Sequence, residues 1–154
     1  MSQRNSATPG LAAAGAREIS LTIPVAPEME IVATAQVAAL GEYMGMGRDR
    51  IDEVKLALVE ACINAFEHSG TTDERLHLVF RVGREADGKE WLEVEVFDQG
   101  KGFDHSHLEV PSLEKSFSGG KKRGWGLHII QSLMDSVSIT SGEWGTRILM
   151  RKYK

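Results

Sequence analysis

The sequence predicts a two-layer α/β sandwich of the α+β type, in which helices cover one face of a mixed, mainly antiparallel sheet. Three observations support this fold class. Strand-like and helix-like segments do not strictly alternate along the chain, and hairpin signals dominate its second half. The 154 residues, 42% of them hydrophobic, can bury the core of one domain but are too few for two catalytic domains.

The first half of the chain predicts one strand and two helices. Residues 17–23 alternate apolar and polar side chains, which is typical of a half-buried strand, and Pro24 ends it. Residues 27–46 have helical periodicity. One side of this helix carries Ile31, Ala35, Ala38 and Ala39. Asp49 offers an N-cap acceptor to a second helix over 50–69.

The second half predicts a hairpin, a long loop, a helix and a final strand pair. Strands over 76–82 and 91–96 flank an Asp-Gly pair at 87–88, which favours a tight turn. Residues 98–123 are glycine-rich with little periodicity, and so long a loop inside a domain is usually functional. A helix is expected over 124–135. Two strands are then expected around a turn at 142–145.

Composition and charge narrow the classes of function. Twenty-two acidic residues against eighteen Lys and Arg leave a net charge of -4, which argues against a chain built to neutralise nucleic-acid phosphates or an anionic membrane. The single cysteine, Cys62, cannot form an intramolecular disulfide, and with five scattered histidines it shows no zinc-ligand spacing. No apolar run approaches the roughly 20 residues that cross a bilayer. We expect a cytoplasmic domain over 17–154, preceded by a disordered tail over 1–16.

The second helix is apolar nearly all round except for a narrow polar stripe. Its apolar face is formed by Ile51, Val54, Leu58, Cys62 and Ala65. The stripe carries Glu53, Glu60, Asn64 and Glu67. A carboxylate at Glu60 and a carboxamide at Asn64, one turn apart, can jointly address a ligand or a hydrated metal ion. The alternative is a solvated face with an ordinary i,i+4 polar pair.

Two glycine clusters and a Gly-Thr pair suggest a nucleotide site. Asp98 ends a strand and precedes Gly100 and Gly102; the carboxylate can accept a hydrogen bond from an exocyclic amine, and glycines let the backbone approach a flat ring. The alternative is an Asp-capped turn. The Gly-Thr pair, Gly145 and Thr146, lies near the last strand and is a weaker signal.

The second glycine cluster opens the third helix. Gly124, Gly126 and Leu127 would leave backbone N–H groups free at the positive end of the helix dipole, where an anion binds favourably. Lys122 and Arg123 precede it and add charge suited to a polyphosphate. The alternative is a glycine linker after a solvated basic run. The sequence contains neither a Walker P-loop nor the protein-kinase motifs.

Taken in order, the four motifs resemble the ATP-binding domain of the GHKL superfamily, also called the Bergerat or histidine-kinase-like ATPase fold. Within it, the chain is most similar to the small anti-sigma-factor serine/threonine kinases. GFD at 102–104 and RGWGLHIIQSLMD at 123–135 carry much of that likeness, which spans about 18–152. Trp125 departs from the family pattern because it is bulkier than the usual residue between the glycines.

The resemblance implies roles for individual residues. Asn64 would coordinate Mg²⁺, and Glu60 would be the general base facing the attacking hydroxyl. Asp98 would bind the adenine amino group, with Gly100 and Gly102 near the ring and Thr146 assisting. The phosphates would meet Lys122, Arg123, Gly124, Gly126 and Leu127. Residues 103–123 would form an ATP lid.

The function implied by the resemblance is ATP-dependent phosphorylation of a serine on a small anti-sigma-factor antagonist. It also implies sequestration of a sigma factor, usually by a homodimer. Two alternatives remain open at this point: a regulatory module that binds ATP without phosphotransfer, and a sensor histidine-kinase catalytic domain detached from its phosphoacceptor.

Overall fold

In the part of the chain that the structure describes, five strands form a single sheet, and three helices lie between them in sequence. A computed structural model describes residues 17–68, 75–98 and 125–154. The elements are β1 (Arg17–Pro24), α1 (Met29–Tyr43), α2 (Arg48–His68), β2 (Arg75–Arg84), β3 (Glu90–Asp98), α3 (Trp125–Leu133), β4 (Ser136–Gly142) and β5 (Gly145–Tyr153). The strand order is β1-β2-β3-β5-β4, and every neighbouring pair is antiparallel. The predicted fold class is confirmed, with a sheet that is antiparallel at every described pairing.

One face of the sheet and the inner sides of the helices form the core. The strand residues on this face alternate with outward-pointing ones, as period two requires. The most buried of them include Leu76, Leu78, Phe80, Leu92, Val94, Val96, Ile148 and Met150. Leu127 and Ile130 of α3 pack against the same cluster. Among the described residues, helices therefore cover one face of the sheet, as the sequence predicts.

The apolar face of α2 is the one that the sequence predicts. Ile51, Val54, Leu58, Cys62 and Ala65 are all buried. The helix begins at Arg48, and the N–H of Ile51 donates to the carbonyl of Gly47 at 3.0 Å. Asp49 therefore lies in the first turn and not at the N-cap position that the sequence suggested. There its charge still favours the positive end of the helix dipole.

The apolar side of α1 named from the sequence is the side that faces solvent. Ile31 is 63% exposed, and Ala35 and Ala39 are exposed with it. The side buried against the core carries Ala33, Thr34, Val37 and Gly41. Because α1 has apolar side chains all round, periodicity alone could not identify its inner side. The helix thus leaves an apolar stripe uncovered by the described residues.

The β2–β3 hairpin turns where the Asp-Gly pair predicts. Gly88 has φ +92°, a backbone conformation that favours glycine. The N–H of Lys89 donates to the Asp87 carboxylate at 2.9 Å, and the N–H of Gly88 donates to the Glu85 carbonyl at 2.9 Å. The turn fixes the register in which Arg84 lies opposite Glu90.

The open face of the sheet carries ion pairs. Glu93 is 1% exposed and lies between Arg81, at 3.3 Å, and Arg151, at 2.8 Å. Arg81 also pairs with Glu95 at 2.8 Å. Burial alone would lower the pKa of Arg151, but the hydrogen bond and the charge of Glu93 outweigh it, so the pKa is raised. These charges are buried as a mutually compensated network.

Aromatic rings occupy the same open face. The Phe97 and Trp144 rings stack with their centroids 5.8 Å apart, and the Arg147 guanidinium lies 5.7 Å from the Phe97 centroid. Trp91, near the opposite end of β3, is fully buried beneath Arg151, whose guanidinium carbon lies 4.2 Å from the ring centroid.

None of the helices found in the three described ranges is long and apolar enough to span a membrane.

Candidate functional site

Asp98 and Thr146 meet at one end of the sheet. Asp98 is the last residue of β3 and Thr146 is the second of β5, and the two are register partners in the antiparallel pair. Both are nearly buried on the helix-covered side, at 6% and 4% exposure. Thr146 is also 3.1 Å from the Ser141 hydroxyl, measured between oxygens. The pairing of β3 with β5 thus brings together two predicted site residues that are far apart in sequence.

Glu60 lies against the start of α3. A Cβ placed on Gly126 would be 3.2 Å from Glu60 Oε2, so the glycine leaves room for this carboxylate. Gly126 and the buried Leu127 are the second and third residues of α3. They lie at the N-terminal end of the described part of α3. The Glu60 carboxylate on α2 and this end of α3 therefore lie side by side.

Asn64 lies one turn beyond Glu60 on α2. Its side chain is half-buried, between the buried residues Ala61 and Ala65. The i,i+4 spacing places its carboxamide on the same side of the helix as the Glu60 carboxylate. No group of three or more His, Cys, Asp or Glu residues suited to a metal ion occurs in the described part of the chain. A single carboxamide oxygen still fits Mg²⁺, which keeps several waters and takes its other oxygens from a bound phosphate.

The arrangement fits an adenine nucleotide in two respects. Asp98 supplies a nearly buried acceptor, and Gly126, at the N-terminal end of the described part of α3, leaves open a space that a side chain would fill. Five predicted site residues lie outside the described residues: Gly100, Gly102, Lys122, Arg123 and Gly124. The predicted tail over 1–16 and lid over 103–123 also lie outside them. For these residues the sequence prediction stands untested.

Lys152 was missed by the sequence analysis. It is 6% exposed, and its Nζ bonds to the Glu53 carboxylate and, at 2.5 Å, to the carbonyl of Leu133. Glu53 belongs to the polar stripe of α2, as predicted, but it is engaged by this lysine. The period-two position of Lys152 in β5, in line with Ile148 and Met150, was the available signal that its stem points into the core.

Cys62 is buried on the apolar face of α2. Burial raises the pKa of its thiol to about 12, and the charge of Glu30 contributes in the same direction. A thiol held in its protonated form is a poor nucleophile, because the thiolate is the reactive species. The interpretation of Cys62 as a small core residue is therefore supported by its surroundings.

A known protein family matches most of this chain. The model of the histidine kinase-like ATPase domain matches residues 23–152, which is most of the chain. The chain belongs to this family. The resemblance drawn from the four motifs is thereby confirmed, and Glu60, Asn64 and Asp98 lie within the matched part of this histidine kinase-like ATPase domain.

Relatives of this ATPase domain include bacterial protein kinases. A serine-protein kinase RsbW of Bacillus cereus is 30% identical over 141 residues, which cover 88% of this chain and 84% of that protein. The serine-protein kinase RsbW of a Bacillus thuringiensis strain matches to the same extent. The sequence similarity therefore extends over most of the length of both proteins.

Solved structures share the fold of this ATPase domain. A Mycobacterium tuberculosis protein with RsbU and RsbW domains superposes with a TM-score of 0.63 at 18% identity, over 90% of this chain and 33% of that longer chain. A SiaB–SiaC complex from Pseudomonas aeruginosa contains a chain with a TM-score of 0.51 at 11% identity, and 88% of each chain is covered. At these identities the likeness supports the fold alone.

Proposed function

We propose that this chain binds ATP with Mg²⁺ and transfers the terminal phosphoryl group to a serine of a small anti-sigma-factor antagonist. The observation that carries the proposal is the Glu60 carboxylate lying beside Gly126 at the start of α3. A carboxylate beside the N-terminal end of a helix, where backbone N–H groups favour an anion, suits a reaction in which a hydroxyl attacks a bound polyphosphate. The kinase names of the relatives support the same reaction class.

The residues that would hold the nucleotide come from both layers of the fold. Asp98 would accept a hydrogen bond from the adenine amino group, assisted by Thr146. Backbone N–H groups of Gly126 and Leu127 would donate to phosphate oxygens, and the carboxamide of Asn64 would bind Mg²⁺. By resemblance, Gly100, Gly102, Lys122, Arg123 and Gly124 complete the set. Bound ATP supplies the phosphoryl group, and Mg²⁺ supplies charge neutralisation.

The chain's own chemical contribution is positioning and proton acceptance. Glu60 would accept the proton of the attacking serine hydroxyl, a role worth about 10²- to 10⁴-fold in rate. The first turn of α3 would stabilise negative charge through donors that are fixed before the substrate arrives. Because Glu60 and α3 are in contact, proton acceptance and charge stabilisation can act on the same phosphoryl group.

The proposed regulation is sequestration of a sigma factor by a homodimer in the cytoplasm. The solvent-facing side of α1 supports a protein contact there, because Ile31 is 63% and Val32 42% exposed. A helix that is apolar on both sides is typical of an element covered on both sides. A second copy of the chain would cover this stripe.

The direct test is a transfer assay with labelled ATP, Mg²⁺ and candidate antagonist proteins. We expect acid-stable phosphoserine on one of them. Acid-labile phosphate on histidine would identify a detached sensor-kinase domain instead. Tight ATP binding with no transfer to any candidate would identify a regulatory module that uses ATP as a structural ligand.

Replacing Glu60 by glutamine tests the role of the acid. Glu60→Gln is expected to keep ATP affinity within about threefold and to lower the transfer rate about 10²- to 10⁴-fold, because only proton acceptance is lost. Glu67→Gln, on an exposed turn of the same helix, is the matched control and should transfer at the wild-type rate. Wild-type transfer by Glu60→Gln would reject this residue as the base.

A further inference from the structure

We propose that Lys152 is a positioning residue for phosphoryl transfer: its buried ammonium group fixes α3 along α2 and so holds the start of α3 beside Glu60. The catalytic half of this inference rests on the proposed function. Its structural half concerns the two helices alone and can be measured without any transfer activity.

α2 and α3 meet at two points with matching spacing. At one point Glu60 lies against Gly126, and at the other Lys152 joins Glu53 to Leu133. The two glutamates are seven residues apart on α2, and Gly126 and Leu133 are seven apart on α3. Seven residues make nearly two turns, about 10 Å of helix. Each pair therefore lies along one side of its helix, and the helices run antiparallel.

The ammonium group binds to the end of α3 itself. Leu133 is the last residue of the helix, and its carbonyl is one of those that the helix leaves without an internal partner. Lys152 donates to this carbonyl at 2.5 Å and to the Glu53 carboxylate. A cation here also interacts favourably with the negative end of the helix dipole. One side chain of β5 thus joins the C-terminus of α3 to α2.

Because the Lys152 ammonium group is buried, its bonds to Glu53 and Leu133 restrict sliding of α3 along α2. The Lys152 side chain is 8% exposed, so water cannot readily replace a lost partner. If α3 slid along α2, the Leu133 carbonyl would leave the ammonium group with an unmet donor in a low-dielectric interior, which is costly. Lys154 provides the contrast, since its side chain is 43% exposed and pairs with Glu90 at 3.3 Å. An exposed lysine of this kind imposes no such restriction.

Methionine at position 152 separates positioning from stability. Its side chain is similar in length and apolar, and replacing buried ionic groups by apolar ones is often neutral or stabilising. The Glu53 side chain is 40% exposed and stays hydrated without its partner. Lys152→Met should therefore fold, while α3 loses the bond that fixes its position.

The experiment compares Lys152→Met, Lys152→Arg and the control Lys154→Met for kcat, KM for ATP and Tm. We expect Lys152→Met to lower kcat about 10- to 100-fold, because a misplacement near 1 Å can cost that much. KM should change less, since Asn64 and Asp98 are untouched. Lys152→Arg should recover part of the rate, and Lys154→Met should match the wild type. Wild-type kcat in Lys152→Met, or a loss that only follows the unfolded fraction, would overturn the proposal.

Hydrogen exchange gives the readout that is independent of transfer. Amides of the later turns of α3, which donate within the helix, should exchange about tenfold faster in Lys152→Met than in Lys154→Met. Equal exchange in the two variants would reject the positioning role. If the wild type transfers phosphate to no substrate but the exchange difference is present, the proposed function fails while the role of Lys152 in fixing α3 stands.

Discussion

On the open face of the sheet, Glu93 is 1% exposed and lies between Arg81 and Arg151. Asp98 belongs to the same strand but lies on the helix-covered face, where it is 6% exposed and ends β3 beside Thr146. Both carboxylates are almost inaccessible to water. Glu93 is compensated by charges from neighbouring strands, and removing it would leave those buried charges without their partner. Asp98 lies where the strand ends and where the nucleotide is proposed to bind. Burial alone therefore does not distinguish a structural acid from a functional one; its partners and its place in the sheet do.

The largest expected effect on ATP affinity is at Asn64, on the helix-covered side. Asn64→Ala should weaken Mg²⁺-dependent ATP binding at least about 100-fold, because it removes the proposed protein ligand of the metal and alanine offers no oxygen. Asp52→Ala, an exposed position of the same helix, is the control. Calorimetry with and without Mg²⁺ measures both variants. An unchanged affinity in Asn64→Ala would remove the metal assignment.

Glu93 and Asp98 themselves give the most direct test of the comparison. Asp98→Asn should lower ATP affinity about 10- to 100-fold with little change in stability, because a charge-assisted hydrogen bond to adenine is lost. Glu93→Gln should leave ATP affinity unchanged and destabilise the fold by ~3 kcal/mol, since two arginines lose their buried partner. Urea unfolding and ATP titration of both variants measure the two effects. If the variants changed the same quantity, the distinction between the two faces would be wrong.

A smaller effect is expected where α2 and α3 touch. A Cβ at Gly126 would lie 3.2 Å from Glu60 Oε2, so Gly126→Ala should shift the carboxylate by a few tenths of an ångström and lower kcat about 3- to 10-fold. Gly47→Ala is the matched control because a Cβ there meets nothing within 4 Å. Steady-state kinetics compares them. Equal rates in the two variants would show that transfer tolerates such a shift of the Glu60 carboxylate.

The smallest effect concerns the buried thiol of α2. The pKa of Cys62 is raised to about 12, so above its ordinary value of 9.0 the unfolded state loses a proton that the folded state keeps. Stability should therefore fall as pH rises above 9, by about 1 kcal/mol at pH 10. Urea unfolding at pH 8 and pH 10 measures this, with Cys62→Ala as the reference. The same pH dependence in that variant would assign the effect to other groups.

The sequence predicts the parts of the fold that depend on local patterns. Strand alternation, the Asp-Gly turn at Gly88 and the apolar face of α2 are all found where period and turn chemistry place them. The inner side of α1 could not be chosen, because Ile31 and Val37 are equally apolar and only tertiary packing separates them. Glu93 follows the outward alternation, yet it is buried because arginines from β2 and β5 cover it.

In the candidate site too, local patterns predict some features and tertiary packing determines the others. The motifs predict which residue types form it, and strand pairing brings Asp98 opposite Thr146 without any local signal that these two would meet. Lys152 and Glu53 are 99 residues apart, and no periodicity links a strand position to a helix position at that distance. Contacts of this kind depend on how layers pack, which a single sequence does not specify.

The stacked rings of Phe97 and Trp144 on the open face allow tryptophan fluorescence to report on the candidate site. Trp144 is 45% exposed, its ring stacks on Phe97, and Phe97 directly precedes Asp98 in the chain. Trp91 is fully buried, so its emission differs in wavelength from that of a partly exposed indole. Because Phe97 directly precedes Asp98, we expect a ligand that binds Asp98 to change the emission of Trp144, alongside that of Trp125 next to Gly126. Intrinsic fluorescence would then follow occupancy of the site in real time, without any attached dye.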